Sequence, residues 1–169
     1  MGTETLTTDG VGRWRLDPAR STAEFRVPHF WGLVKVKGRF ERLGGWLELG
    51  KQDERRLELT IDATSLDTGN PKRDEHLRSR EFFDTEHHPT VRFVATSVGG
   101  RVRVDGELLA AGRRVVLELD PAIRKTADRL QLDASTQLDQ RELGMTYSPL
   151  GMTRTPATLT VHADLTPER

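Results

Sequence analysis

Apolar and polar residues alternate along most of this chain. Phe25 and Val27, for example, alternate with Glu24 and Arg26. Successive side chains of a β-strand point to opposite faces, so each such segment predicts a strand with one apolar and one solvated face. This pattern is typical of antiparallel sheets, because buried parallel strands are apolar throughout. The segments that show it span residues 23–27, 34–40, 57–63, 91–95, 102–108, 115–119, 130–138 and 157–165.

The sequence predicts one short helix, over about residues 71–80. Asn70 is a favourable N-cap, and Pro71 suits the first helical position. One helix of this length cannot cover the apolar face of a sheet with so many strands. The sheet must therefore fold over as a sandwich or close on itself as a barrel, and long strands favour the barrel. The longest strand, over residues 34–49, changes its apolar phase at residues 43–45, which predicts a glycine bulge that bends it.

Length and charge narrow the class of protein. The 169 residues fit one domain, which we place at residues 12–169, after a polar tail over residues 1–11 that we expect to be disordered. The chain carries 26 Lys and Arg against 26 Asp and Glu, and such a balance disfavours nucleic acid as a partner, because binding to phosphates needs a basic excess. No stretch is apolar and long enough for a membrane span or a secretory signal. We therefore expect a cytoplasmic protein without stable membrane insertion.

Few residue patterns in the chain suggest catalysis. Because the chain has no cysteine, disulfides, thiolate nucleophiles and cysteine metal sites are excluded. The histidines match no metal-binding spacing, and His87 and His88 are adjacent, so in an extended segment they point to opposite sides. No serine lies in a Gly-x-Ser-x-Gly motif, and no glycine-rich phosphate loop occurs. We therefore predict no catalytic residue, no metal and no cofactor.

The longest irregular segment begins at Ser65 and carries a polar cluster beside apolar side chains. The charged members are Asp67, Arg73, Asp74 and His76, and the apolar neighbours are Leu77, Phe82 and Phe83. In the structural interpretation, Asp67 caps the loop, while Arg73 and Asp74 tie it to the barrel wall through ion pairs. In the functional interpretation, Arg73 or His76 meets the polar head of a ligand at the barrel mouth. The two phenylalanines likewise suit either a core or a ligand clamp.

Several segments resemble signatures of the YceI-like, or polyisoprenoid-binding, family. Residues 14–25 resemble its opening signature, residues 36–40 its glycine-phenylalanine strand, and residues 139–145 its Arg-x-x-Gly segment. The most specific resemblance is that of residues 65–77, which are followed by matching segments at 81–84 and 88–93. The resemblance implies an extended lipocalin-like antiparallel β-barrel of about eight strands with an apolar pore. It also implies binding of a long isoprenoid, such as a quinone or polyprenyl phosphate, and often a homodimer, with no catalytic residues.

We therefore expect an all-β protein that sequesters or transports an amphiphilic isoprenoid lipid, or another apolar small molecule, without altering it. A barrel of about eight strands is near the size at which side chains either fill the interior or leave room for one ligand. Gly38 and Gly106 are expected to leave space, since they have no side chain. The residues that we predict to line the pore are Val36, Gly38, Phe40, Leu59, Ile61, Phe93, Val104, Leu117, Leu132, Leu159 and Val161. Each of these positions also suits a dry core.

Two functions from other classes remain open. An enzyme could act on an isoprenoid head group with His76 and either Asp74 or Asp67 as acid and base, because a histidine titrates near neutrality. A ligand-free interaction module could pair an exposed strand edge or an apolar patch with a partner protein. Turnover that disappears in His76→Ala indicates the enzyme, whereas a stoichiometric protein partner without extractable lipid indicates the module.

Overall fold

Antiparallel strands dominate the computed structural model, which describes residues 12–29, 34–97, 104–119, 121–143 and 157–168. The predicted tail over residues 1–11 lies outside these residues. The strands are β1 (Gly12–Leu16), β2 (Thr22–His29), β3 (Val34–Phe40), β4 (Leu43–Leu49), β5 (Arg55–Asp62), β6 (Leu66–Asp67), β7 (Thr90–Ser97), β8 (Val104–Ala110), β9 (Arg113–Leu119), β10 (Ala122–Lys125), β11 (Leu130–Leu138) and β12 (Ala157–Pro167). One α-helix, α1, spans Pro71–Arg78, and short 3₁₀ turns span Lys51–Asp53, Ala63–Ser65 and Gln140–Leu143. The prediction of an all-β protein with one short helix is confirmed.

Two bent pairs of strands form one side of the sheet. β1 and β2 lie on the same side of β12, where Leu16 is opposite Leu165 and Ala23 is opposite Val161. β3 pairs with β2 and β4 pairs with β1 in the same way. The predicted long strand over residues 34–49 therefore exists as β3 and β4, but it bends before the glycines. The bend falls at residues 41–42, where the hydrogen-bonding partners of the chain change from residue 65 to residue 62.

The remaining strands carry the sheet around the interior. The order continues from β4 through β5, β7 and β8 to β9, while β11 pairs with the other side of β12 and with β10. β9 and β11 lie side by side without a ladder between their described residues; there the Thr136 hydroxyl donates to the Glu118 carbonyl at 3.4 Å. When β1–β2, β3–β4 and β9–β10 are each counted as one bent strand and the two-residue β6 is left out, about eight strands surround the interior. The lipocalin-like antiparallel fold is confirmed, with an incompletely closed seam.

The sequence-based role of the two inward glycines is wrong. A Cβ atom built on Gly38 would lie 2.2 Å from Cζ of Phe25, and one built on Gly106 would lie 2.1 Å from Cζ of Phe93. The ring of a phenylalanine on the neighbouring strand covers each glycine, so the space that the missing side chain leaves is already filled. Aromatic rings that cover a glycine of a neighbouring strand are a known means of fixing strand register.

One end of the barrel is packed solid. Leu130 of β11 is opposite Leu165 of β12, which is opposite Leu16 of β1. These residues expose 1%, 0% and 4% of their surface. We call Leu16, Leu130 and Leu165 the leucine layer. Strand β12 runs from this layer back to Ala157, so the other half of the barrel lies around residues 157–161.

Candidate ligand-binding cavity

The half of the barrel away from the leucine layer contains a cavity of about 520 Å³. This volume lies within the range of roughly 300–1,000 Å³ that is typical of small-molecule sites. Its polar lining residues are Glu24, Arg73, His76 and Thr136. Its apolar lining residues are Ala23, Phe25, Val27, Val36, Phe40, Leu57, Leu59, Ile61, Leu77, Phe82, Phe83, Val91, Phe93, Leu108, Ala110, Leu117, Leu119, Leu132, Ala134, Leu138, Leu143, Ala157, Leu159 and Val161. The interior is therefore a mostly apolar chamber with a few polar groups.

Most of the residues that we predicted from strand periodicity lie at this cavity. Those that line it are Val36, Phe40, Leu59, Ile61, Phe93, Leu117, Leu132, Leu159 and Val161. Gly38 does not reach it, because the ring of Phe25 lies in between. For Val104 only the backbone, in β8, belongs to the described part of the structure.

The cavity ends where the leucine layer begins. Along β12 the inward residues Leu159 and Val161 line the cavity, whereas Ala163 and Leu165 are buried beyond it. The same change occurs on β11, where Leu132 lines the cavity and Leu130 does not. The closed end of the chamber is therefore on the side of residues 130 and 165.

Helix α1 and the turn after it bring the predicted polar cluster to the cavity. The Asn70 side chain accepts a hydrogen bond from the Arg73 backbone N–H at 3.2 Å, so it caps the helix as predicted, and Pro71 occupies the first turn. Phe83, in the turn after α1, packs its ring 5.7 Å from that of Phe40. The helix thus lies beside the hollow half of the barrel.

Thr68 organises the base of this helix. Arg73 donates from Nε to the Thr68 hydroxyl and from Nη2 to the Thr68 carbonyl, both at 2.8 Å. The buried Asp74 carboxylate accepts from the Thr68 backbone N–H at 2.9 Å and from its hydroxyl. Hydrogen bonds to Thr68 therefore take the place of the predicted ion pairs to the barrel wall, because the loop that precedes α1 lies against the helix. Asp67 accepts from the Gly69 backbone N–H at 2.8 Å within that loop.

Among the described residues that line the cavity, Arg73 and His76 are the basic ones. Arg73 lines it, and its Nη1 has no hydrogen-bond partner among the residues that the structure describes. His76 also lines the cavity and exposes 42% of its side chain, so the chamber approaches the surface here. His76 Nε2 lies 2.5 Å from a carboxylate oxygen of Glu81, and its ring meets that of Phe82 edge-on at 5.0 Å.

The acid-base pair of the enzyme hypothesis is not assembled. The carboxylate near His76 belongs to Glu81, whereas Asp74 binds Thr68 and Asp67 binds Gly69. Asp74 and His76 are two positions apart on α1, so they face different sides of a helix. The pairing of His76 with Asp74 or Asp67 is therefore wrong.

The turn between α1 and β7 holds the two phenylalanines at the cavity. Phe83 donates its backbone N–H to the Leu77 carbonyl at 3.0 Å, and Asp84 adopts a left-handed conformation with φ of 48°. The Asp84 carboxylate lies 3.0 Å from His87 Nδ1. This hydrogen bond and the attraction of the two charges lower the pKa of Asp84 and raise the pKa of His87.

Sequence reasoning missed several groups at the site. Phe25, Ala134 and Leu138 lie on strands that the alternation predicted, but nothing in that pattern shows how deep along a strand the hollow extends. Thr68 could have been noticed as a hydroxyl between Asp67 and the helix cap, since such residues often bond to nearby backbone groups. Glu81 lies in the segment 81–84 that resembles the family signature, but its contact with His76 could not be predicted, because that contact depends on how the chain turns after α1.

No group of three or more His, Asp or Glu side chains in the described residues is arranged to hold a metal ion. Within the same residues, no helix combines the length and apolar character that a membrane crossing requires.

A family model and curated relatives match the sequence of this chain. The family model of the YceI-like domain matches residues 14–166. The chain is 36% identical over 93 residues to the UPF0312 protein of Photorhabdus laumondii, with 52% of this chain and 48% of the relative covered. It is 32% identical over 93 residues to protein YceI of Escherichia coli O157:H7, with the same coverage. The match thus spans about half the length of these curated relatives.

Solved structures share the fold at low sequence identity. BcnA of Burkholderia cenocepacia superimposes with a TM-score of 0.76 at 15% identity, covering 88% of this chain and 98% of BcnA. A polyisoprenoid binding domain from Saccharophagus degradans superimposes with a TM-score of 0.72 at 17% identity, covering 94% of this chain and 100% of that domain. Since the family model covers nearly all of the hollow barrel described above, the chain belongs to the YceI-like domain family.

Proposed function

We propose that this protein binds an amphiphilic isoprenoid lipid, of the quinone or polyprenyl phosphate type, and sequesters or transports it unchanged. The observation that carries the proposal is the apolar cavity of about 520 Å³ with a basic group beside its surface-facing side. The tail occupies the cavity, and the head lies near Arg73 and His76. The name of the Saccharophagus degradans domain, which has the same fold, points to the same class of ligand.

Burial of the tail supplies the driving force. Each buried methylene contributes roughly 0.8 kcal/mol, so ten of them contribute about 8 kcal/mol before the cost of association is subtracted. A chain-like hydrocarbon can therefore bind without a charged partner. This fits a cavity whose lining is almost entirely Leu, Ile, Val, Ala and Phe.

The polar groups favour an oxygen-bearing head at one end. Arg73 is held by Thr68 through Nε and Nη2, so its guanidinium is already oriented before a ligand arrives. The remaining Nη1 is a donor suited to a carbonyl or phosphate oxygen. His76 adds a second polar ring beside Glu81.

The proposal is binding without turnover. The carboxylates on which the enzyme hypothesis relied, Asp67 and Asp74, are occupied by backbone and hydroxyl donors of residues 68 and 69. A cytoplasmic location and a homodimer remain predictions, to be checked by cell fractionation and by light scattering.

Native mass spectrometry of freshly purified protein, followed by solvent extraction, tests the proposal. We expect a bound mass that extraction identifies as an isoprenoid. Ala134 lines the cavity and Ser135, its neighbour on β11, faces solvent, so Ala134→Phe is expected to lose the ligand and Ser135→Phe to keep it. A ligand that stays in both variants, or a stoichiometric protein partner with no lipid, would contradict the proposal.

A further inference from the structure

We infer that the cavity buries only three or four isoprene units of a ligand tail, so that affinity stops rising with chain length beyond them. This inference rests on the proposed function, since it concerns the same cavity. It sets an upper limit on the length of tail that is buried, which the binding proposal alone does not contain.

Volume gives the limit. A protein cavity of about 150 Å³ holds one benzene molecule, which has six carbons. At the same ratio a cavity of about 520 Å³ holds roughly twenty carbon atoms. Because an isoprene unit has five carbons, the chamber is full at about four units, or three if part of the head group enters.

The closed end prevents a longer tail from continuing through the barrel. Leu130 and Leu165 expose 1% and 0% of their surface, and they follow directly after the lining residues on β11 and β12. Interiors of this kind are close-packed, so a tail reaching this layer has no space ahead of it. Nothing short of displacing buried leucines extends the chamber in this direction.

The polar end sets the direction in which the tail enters. Arg73 and the partly exposed His76 lie on α1, which packs beside β6 and not near the leucine layer. A head group held at Arg73 therefore leaves its tail pointing toward residues 132 and 161. A longer tail meets the leucine layer first, so its additional length moves the head group outward from Arg73 and gains no burial from this cavity.

Displacement of the apolar fluorophore N-phenyl-1-naphthylamine by prenyl alcohols with two to six isoprene units tests this limit. All share one head group, so only tail length varies. Each unit that enters the cavity should strengthen binding at least roughly tenfold, because every buried methylene contributes. We expect this gain through the third or fourth unit and less than a threefold change for each unit after it.

Two substitutions in β11 test where the limit comes from. Leu132→Ala enlarges the chamber next to the leucine layer, so the affinity should keep rising to a longer tail than in the wild type. Ala134→Leu reduces the chamber, so the break should occur at a shorter tail. Val116→Ala, on the outer face of β9, is the control, because Val116 is 69% exposed. Thermal unfolding of each variant shows whether it is folded. If Leu132→Ala does not fold, Ala134→Leu alone tests the limit, because it only adds atoms beside a void.

Each outcome decides one question. Affinity that keeps rising past the fourth unit, with lipid still bound in the cavity, would overturn the length limit and leave the proposed function intact. A break that stays at the same tail length in Leu132→Ala and Ala134→Leu, or that shifts in Val116→Ala, would also overturn it. If no alcohol displaces the fluorophore and no lipid is extracted, the proposed function itself fails.

Discussion

Where a glycine faces a phenylalanine ring, the ring leaves no room for a side chain at the glycine position. The ring of Phe93 occupies the position where a side chain at Gly106 would begin, with 2.1 Å between the built Cβ and Cζ. The alternation of apolar and polar residues along β8 predicted only that Gly106 faces the interior of the barrel. Which neighbouring ring covers it depends on strand register, which a single sequence does not show.

Gly106→Ala should therefore destabilise the protein. The added methyl must displace the Phe93 ring, and overpacking of this kind costs about 1–3 kcal/mol. Urea unfolding measures the change. Gly44→Ala is the matched control, because a Cβ at Gly44 meets nothing within 4 Å. Equal stabilities of the two variants would contradict the account of the glycine-phenylalanine pair.

The buried residue Asp164 connects three parts of the chain near the leucine layer, through its carboxylate and its backbone N–H. Asp164 exposes 3% of its surface and lies 2.6 Å from Arg129 Nη1, while its backbone N–H donates to the Ser21 hydroxyl at 3.0 Å. Burial tends to raise the pKa of Asp164, but hydrogen bonds from Arg129 and Gln131 and nearby positive charge outweigh it, so the pKa lies below its usual 3.8.

This lowered pKa gives a predicted pH dependence. A carboxyl whose pKa is lower in the folded state stabilises the protein above its unfolded pKa, and that contribution is lost as pH falls through the folded value. We expect Asp164→Asn to lower the urea midpoint at neutral pH and the difference from the wild type to shrink below about pH 4. A difference that stays constant down to pH 2 would exclude this origin.

Helix α1 is short, so its first turn depends on the cap. The Asn70 side chain satisfies one backbone N–H of that turn. Asn70→Ala should lower the free energy of unfolding by about 1 kcal/mol, whereas Lys72→Ala, at an exposed position of the same helix, should change it little. Chemical denaturation compares the two. Because α1 carries Arg73 and His76 to the cavity, the Asn70 variant should also bind ligand more weakly.

The turn after α1 contains a hydrogen-bonded pair that responds to pH. The hydrogen bond from His87 to Asp84, and then the charge of Asp84, raise the pKa of His87 above 6.5. A group whose pKa is raised by folding stabilises the folded state below its unfolded pKa, and this contribution is lost as pH rises through the folded value. Glu86 adds to the shift, and Arg80 opposes it.

Hydrogen-exchange protection of the Phe83 amide should therefore decrease as pH rises above about 6.5, beyond the intrinsic pH dependence of exchange. His87→Gln should abolish this decrease. His162→Gln is the control, because His162 pairs with Asp133 on the outer face of β11 and β12. A decrease that persists in His87→Gln would show that another group causes it.

Strand existence was predictable, and strand bending was not. Alternation of apolar residues marked every long strand from β2 onward in the described residues, because it reflects a local property of the backbone. The bend at residues 41–42 arises where hydrogen-bonding partners change, and those partners are distant in sequence. Asn70 and Pro71 marked the start of α1 because capping is also local.

At the scale of the whole molecule, the barrel is filled at one end and hollow at the other. Leu130 and Leu132 occupy equivalent inward positions two residues apart, yet only Leu132 lines the cavity. A sequence pattern cannot separate them, since both are inward leucines of one strand. The shape of the chamber depends on how the side chains of all the strands pack against one another in the folded protein, and on the position of α1.

The central claim is that an apolar tail lies inside this chamber, and adjacent residues of β9 allow a direct test. Leu117 faces the cavity and Val116 faces solvent. Isotope-filtered nuclear Overhauser spectra of the protein with bound farnesol should show contacts from tail protons to the methyl groups of Leu117 and Leu132, and none to those of Val116. Contacts to Val116 without contacts to Leu117 or Leu132 would contradict the account.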